Sequence, residues 1–439
     1  MTTEQSYLRR GTVIMIATAV GGFAADYALN VGVASLLAAE DYGDFKVAMA
    51  FLNISALAVL LGGDRAAPRF LASWLESDDG NGVWEYARLY LLIMLGLSVL
   101  LIAATFVVSW LHFGPTDLAN RHPLIVAAVI IPLAAASTLL GRVFQAAKRI
   151  DLANLPWRVG FPLAKLSLVL VVAYVVGEMT DINVLWLAFV TAVLLLTFQI
   201  VCLRRLGLVP VRRDHDRAAP RAWLAASIPM MLVTLIVIGI NQVDIFVLEL
   251  IADERDVGYF GAVSTTVHVI YLAQTATVGL LSPLISKALD DGQSAIGGLH
   301  TRGFRLLICL TVPLSIGVAV FASSILSLFG SVYVVATDAL LILTAGFFVS
   351  TVLGLSAIWL QYSGNERLVM WVMLGALVSN IVLNFILIPI YGINGAAAGT
   401  TVVLVAMSLT LCLMMRRQIG VSPWPVGAAL LGLFRRGGP

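Results

Sequence analysis

The stretch GGFAADYALNVGVASLL, residues 21–37, sets one carboxylate, Asp26, inside an otherwise apolar run. Similar intrusions recur along the chain: Arg65, Arg69 and Arg142 near the ends of two apolar runs, Lys165 within a third, and Asp244 and Glu249 in a fourth. A charge at bilayer depth costs about 2.5 kcal/mol or more, so each of these residues predicts an internal ion pair or a functional site. Asp26 has two readings. It neutralises Lys165 as a structural pair, or it takes up a proton or Na⁺ and couples transport to an ion gradient; Asp244 is the second coupling candidate. Arg65, Arg142 and Lys165 suit an anionic diphosphate, because guanidiniums grip phosphate oxygens bidentately and an ammonium acts as a point charge. Arg69 reads as a snorkelling residue at the rim, and Asp64 as the local partner of Arg65. Asn30, Asn241, His268, Gln274 and Asn380 are candidate uncharged residues of a polar cleft, although a lone His268 reads more readily as a hydrogen-bonded packing residue.

These side chains need elements that hold them in the membrane. The chain has 439 residues, of which 60% are hydrophobic and 12% charged, with a mean hydropathy of +0.96. That balance excludes an ordinary soluble domain. A bilayer-crossing helix needs about 20 apolar residues. Twelve such runs are predicted, at 11–38, 46–73, 86–111, 123–148, 156–177, 183–205, 222–250, 258–287, 301–325, 335–360, 367–388 and 392–415. The first follows Arg9 and Arg10 as a signal peptide would, but its length and Asp26 mark it as a retained helix. Cys202, Cys309 and Cys412 all fall in spans and form no disulfide or metal-ligand pattern.

The positive charge is one-sided. Of 27 basic residues, 23 lie on one face of the alternating topology, and only Lys46, Arg121 and Arg255 lie on the other, with Lys165 inside a span. The positive-inside rule then places both termini in the cytoplasm of a multi-pass inner-membrane protein. The basic stretch RRLGLVPVRRDHDRAAPR, 204–221, divides the chain. It predicts an N-terminal six-helix lobe (1–205), a basic cytoplasmic linker (206–221), a C-terminal six-helix lobe (222–415) and a basic, interfacial tail (416–439). A lipid-binding clamp is the other reading of the linker.

An offset of 215 residues pairs Gly43 with Gly258, Phe45 with Phe260, Pro68 with Pro283 and Gly177 with Gly392, the signature of a duplicated half. It also pairs Asp26 with Asn241, while Asn30 falls one residue beyond Asp244. Each half's first helix thus carries an Asp and an Asn three or four residues apart, on one helical face. The expected fold class is all-α, with twelve transmembrane helices in two lobes related by a pseudo-two-fold axis along the membrane normal and a shared polar cleft.

Near the C-terminus, YSGNERLVMWVMLGALVSNIVLNFILIPIYGINGAAAGTTVVLV (362–405) places Asn380 and Asn384 ahead of Pro389, Gly392, Gly395, Ala396 and Ala397. That segment resembles the C-terminal lobe of the multidrug/oligosaccharidyl-lipid/polysaccharide exporter superfamily. LLAAEDYGDFKVAMAF (36–51) resembles its first outer loop, where a Y-G-x-F turn joins two helices, and FQAAKR (144–149) resembles the end of its fourth helix. The resemblance is strongest to the polysaccharide-biosynthesis branch. It implies an alternating-access flippase for polyprenyl-diphosphate-linked oligosaccharides, with polysaccharide polymerase or chain-length machinery as possible partners.

The alternatives within the superfamily are a proton- or Na⁺-coupled multidrug antiporter and a lipid II flippase. None of the four lysines follows a glycine, so no phosphate-binding loop for ATP is present. No enzyme activity, cofactor or nucleic-acid partner is expected. GINGAAAGT, 392–400, reads as a tight turn followed by a close-packing face.

Overall fold

The computed structural model describes residues 3–76, 80–117, 123–207, 220–422 and 424. Residues 208–219 of the linker, Arg121 and nearly all of the 423–439 tail therefore lie outside the described residues. The helices are α1 (Thr3–Leu36), α2 (Ala39–Ala58), α3 (Gly63–Glu76), α4 (Gly80–Asp117), α5 (Pro123–Ala146) and α6 (Ile150–Leu155). A π turn (Pro156–Gly160) joins α6 to α7 (Phe161–Val176), followed by α8 (Asp181–Arg205) and α9 (Pro220–Ile251). Then come α10 (Glu254–Val267), α11 (Tyr271–Asp290), α12 (Gln293–Val320), α13 (Ala322–Ser327), α14 (Thr337–Leu353), α15 (Leu355–Tyr362), α16 (Glu366–Tyr391) and α17 (Ile393–Ile419).

Among the described residues, ten stretches are long and apolar enough to cross a bilayer, and the bent pair α2–α3 is an eleventh. The remaining run, the eighth at 258–287, is α10–α11, interrupted by a 3-10 turn at His268–Ile270. The second run of each half is thus broken, at residues 59–62 and at 268–270. In the first break Leu61 (φ 44°) and Gly62 (φ 78°) are both left-handed. A Cβ on Gly62 would lie 2.1 Å from the Ser227 carbonyl oxygen, so only glycine fits there.

Lipid supplies no hydrogen bonds, and the sequence answers this locally. Thr138, Thr191, Thr265, Thr266 and Thr277 each donate to the carbonyl four residues earlier, closing their hydroxyls onto their own helix.

The chain forms two compact units, Gly21–Gln242 and a second comprising residues 1–20 with 243–439. The first unit's core gathers Leu60, Leu71, Tyr86, Tyr90, Ile130, Ile131 and Trp223. In the second, Leu307, Trp359, Leu360, Leu411 and Met415 pack together.

The offset pairs behave alike within their own units. Gly43 and Gly258 are buried in α2 and α10, and Phe45 and Phe260 are each 2% exposed. Gly177 and Gly392 both close a helix with positive φ, their amides donating to Ala173 and Ile388. The expected Y-G-x-F turn is not a turn. The chain bends only at Leu37 and Ala38, and Tyr42, Gly43 and Phe45 lie inside α2. Their aromatic bulk fills the unit's interior, which a surface turn would waste.

Candidate functional site

Among the described residues, three clusters built around a buried charge stand in the apolar framework, two in the Gly21–Gln242 unit and one in the other. The first forms where α3 begins. Asp64 lies in the opening turn of α3, where the helix N-terminus favours a carboxylate. It is fully buried. Its Oδ2 lies 3.1 Å from Arg65 Nε and 4.0 Å from a terminal nitrogen of Arg142. Arg142 also donates to Gln145 at 2.8 Å. Both arginine side chains stay partly open, 36% and 27% exposed. Arg65 and Arg158 are the further cations that act on Arg142. Asp64 is the local partner of Arg65 that the sequence suggests, and of Arg142 as well. Arg69 is exposed and lies over the Phe70 ring, apart from this cluster.

The second cluster is built on α1, α2 and α7. Asn30 donates to the Asp26 carbonyl at 2.8 Å and to its carboxylate at 3.2 Å. Its own carbonyl accepts from Tyr42 at 3.1 Å and Lys46 at 3.3 Å. The shared helical face expected of Asp26 and Asn30 is therefore present. Lys165 is 0% exposed, with its ammonium 4.3 Å above the Phe45 ring and 3.9 Å from the Met49 sulfur. Asp26 attracts it and Lys46 repels it. Lys165 thus differs from Arg65 and Arg142 in exposure: it is buried against Phe45 and Met49, while the two arginines stay partly open.

The third cluster surrounds Asp244 on α9. Its Oδ1 accepts from Asn380 at 3.0 Å and Asn384 at 2.5 Å, and its Oδ2 lies 2.8 Å from the Thr400 hydroxyl. All four residues are buried, and the Asn384 carbonyl oxygen has no partner. The close approach of α17 to α16 that brings Thr400 here depends on glycine. A Cβ on Gly395 would lie 2.3 Å from the Leu387 carbonyl oxygen, and one on Gly399 would lie 3.0 Å from Asn384. GINGAAAGT is thus the packing face that its composition predicts.

The remaining candidates are tied locally. Asn241 donates to Val237 of its own helix. His268 bonds the Ser264 carbonyl and packs edge-on against Phe347, which is the packing role. Gln274 lies against Gly354, within 2.5 Å of where a Cβ would be. Asn380 belongs to Asp244's shell. Lys46, Arg158, Asn384 and Thr400 are site residues that the sequence reading left out. Asn384 was visible as the partner of Asn380 four residues on; Thr400 carried no signal, because a threonine in an apolar helix is ordinarily closed onto its own backbone.

The sequence model for the family described as polysaccharide biosynthesis protein matches residues 8–289. The chain belongs to this family. The MatE model matches residues 229–386. A search among curated proteins finds no match.

Solved structures share the fold of this polysaccharide biosynthesis family member. An inward-facing multidrug resistance MATE family transporter of the MOP superfamily is 16% identical, with a TM-score of 0.69 over 90% of this chain and 94% of the other. A MOP superfamily transporter from Pyrococcus furiosus, described as having a binding pocket of reverse polarity, is 13% identical, with a TM-score of 0.66 over 94% and 95%. A MATE protein in a bent conformation is 14% identical, with a TM-score of 0.67 over 96% and 98%. The family member is therefore all-helical among its described residues, with the multi-pass fold of these transporters.

Proposed function

We propose that this transporter is a flippase carrying a polyprenyl-diphosphate-linked oligosaccharide from the cytoplasmic to the outer leaflet of the cytoplasmic membrane by alternating access. The observation that carries the reading is the partly open Arg65–Arg142 pair, held at 3.1 and 4.0 Å from one buried carboxylate. Two guanidiniums with donors to spare suit phosphate oxygens far better than a cationic drug. On the one-sided distribution of basic residues, both termini are cytoplasmic, and the head group enters from that side while the polyprenyl tail stays in lipid.

Asp244 is the coupling residue of this reading. Asp244, Asn380, Asn384 and Thr400 would hold a proton or Na⁺, since an all-oxygen donor set suits a hard cation and the Asn384 carbonyl oxygen is buried without a partner. Rotation of the two amides would turn donors into ligands. Asp26 is less suited to the role, because Asn30 and the two lysines already engage it.

The test is outward movement of a labelled polyprenyl-diphosphate oligosaccharide in proteoliposomes. Wild type is expected to flip it, and Arg65→Gln/Arg142→Gln to lose flipping while remaining folded. A wild type that instead drives efflux of a cationic dye, indifferent to both arginines, would identify a drug antiporter and overturn the reading.

A further inference from the structure

The π turn Pro156–Gly160 has no part in the function above. A π turn inside a span gives up regular hydrogen bonding and recurs at functional sites. Both ends of this one line a cavity of about 350 Å³ in the Gly21–Gln242 unit, between α6–α7 and α8. That is the volume of a small-ligand site. Its wall is carbon: Pro156, Phe161 and Leu195 are buried at its floor, while Leu155, Leu194 and Phe198 form an exposed apolar rim, open to lipid. Thr191, in the same wall, closes its hydroxyl onto the Leu187 carbonyl at 2.7 Å. From Asp151 to Ala164 the cavity follows the span for about 20 Å. It is a narrow slot, shaped for one extended hydrocarbon chain.

The slot has no place of its own for a head group. Its mouth carries Asp151, a carboxylate that repels phosphate, and the neighbouring Arg149 is gripped by both Asp151 oxygens at 3.2 and 3.1 Å. The Arg142 segment lies across α6. A Cβ on Gly141 would lie 3.2 Å from the Ala153 carbonyl oxygen, so α6 rests on the residue next to Arg142. Asp151 and Leu155, two positions either side of Ala153, sit on the opposite face of that helix at about 100° per residue. The six residues of α6 are therefore a thin partition, with the slot on one flank and the Arg142 segment of α5 on the other.

We propose that the slot holds the polyprenyl tail of the lipid-linked oligosaccharide, draped over α6 from a diphosphate at Arg65 and Arg142. The inference rests on the flippase reading and deepens it by giving the tail a site. A membrane phospholipid is a poorer occupant, because its phosphate would meet Asp151 at the mouth, whereas a polyprenyl chain is long enough to carry its phosphate past α6. Capturing the tail first raises the local concentration of the head group beside the arginines. The open rim lets the chain slide back into lipid as the head group crosses.

The test places the full chain in phosphatidylethanolamine nanodiscs with geranylgeranyl-diphospho-N-acetylglucosamine bearing a diazirine at the far end of its chain. Illumination is expected to label residues 151–164 and 191–198. Excess unlabelled prenyl lipid should suppress that label several-fold, and added phosphatidylglycerol should leave it unchanged. Gly160→Leu and Ala164→Phe fill the slot, and each should cut the labelling several-fold. Both side chains enter open space: Gly160 has a helical φ of −63° and the nearest atom to a Cβ there is 3.7 Å away, while Ala164 is exposed. Melting temperatures should therefore match wild type.

Label that falls elsewhere, or that survives in the folded variants, overturns the proposal. Suppression by phosphatidylglycerol as strong as by the prenyl lipid makes the slot a phospholipid site and overturns it equally. A wild type that flips the lipid-linked oligosaccharide in proteoliposomes yet shows either pattern removes this inference alone. A wild type that neither flips it nor takes label from the prenyl probe removes the flippase reading as well.

Discussion

At the scale of single residues, the chain keeps its intramembrane charges in separate company, and each cluster responds differently to substitution. Lys165 is enclosed by Phe45 and Met49, with Asp26 as its attracting charge. Asp26→Asn leaves the buried ammonium less compensated and should lower the melting temperature, whereas Asp26→Asn/Lys165→Met should recover most of the loss. A coupling of roughly 1 kcal/mol in that cycle is expected, and additive effects would dissolve the pair. Asp244 predicts a different result: Asp244→Asn should abolish the dependence of flipping on a proton or Na⁺ gradient, and Thr400→Val should weaken it. Flux measured across an imposed gradient decides the point. The sequence disclosed Asp26 with Asn30 and Asp64 with Arg65, because these partners are one or four residues apart. It could not disclose Lys46 on Asn30 or Thr400 on Asp244, since those contacts depend on the packing of different helices.

At the scale of elements, glycine placement decides which helices approach closely. Gly395 allows α17 to turn against α16, where a methyl would meet a carbonyl oxygen at 2.3 Å, whereas nothing lies within 4 Å of a Cβ on Gly375. Gly395→Ala should therefore destabilise the protein by about 2 kcal/mol or more, and Gly375→Ala should be neutral or stabilising, as mid-helix propensity dictates. Thermal melts of the two variants, compared side by side, test the contrast. The run of small residues in GINGAAAGT announced that packing face in advance. Y-G-x-F misled because glycine and tyrosine beside acidic residues look like a surface turn, whereas Tyr42 and Phe45 are anchors of the interior. The broken second runs were equally hidden: Leu61 adopts φ 44°, a conformation its residue type gives no reason to expect.

At the scale of the whole molecule, the one-sided basic charge is the most legible feature, because it needs only span counting. In a variant lacking Cys202, Cys309 and Cys412, a cysteine placed at Glu178, after α7, should react with an impermeant maleimide added outside cells. One placed at Gly207, after α8, should react only once the membrane is opened. The reverse pattern would invert the orientation and the direction of transport. The twelve runs were legible from hydropathy, although α10–α11 proves too interrupted to pass as one continuous helix. The division at Gln242 lies within α9, at a point with no local sequence mark, since compactness is a property of the folded chain.

The π turn also bears on how relatives are compared. Such a turn holds one residue more than the α-helical path, so a relative with a regular helix here should align only with a single-residue gap between 156 and 160. An ungapped alignment would set every later position of α7 about 100° away around the helix axis. Lys165 would then be matched to a residue on a different face of the helix, and a buried charge present in both chains would be scored as a substitution.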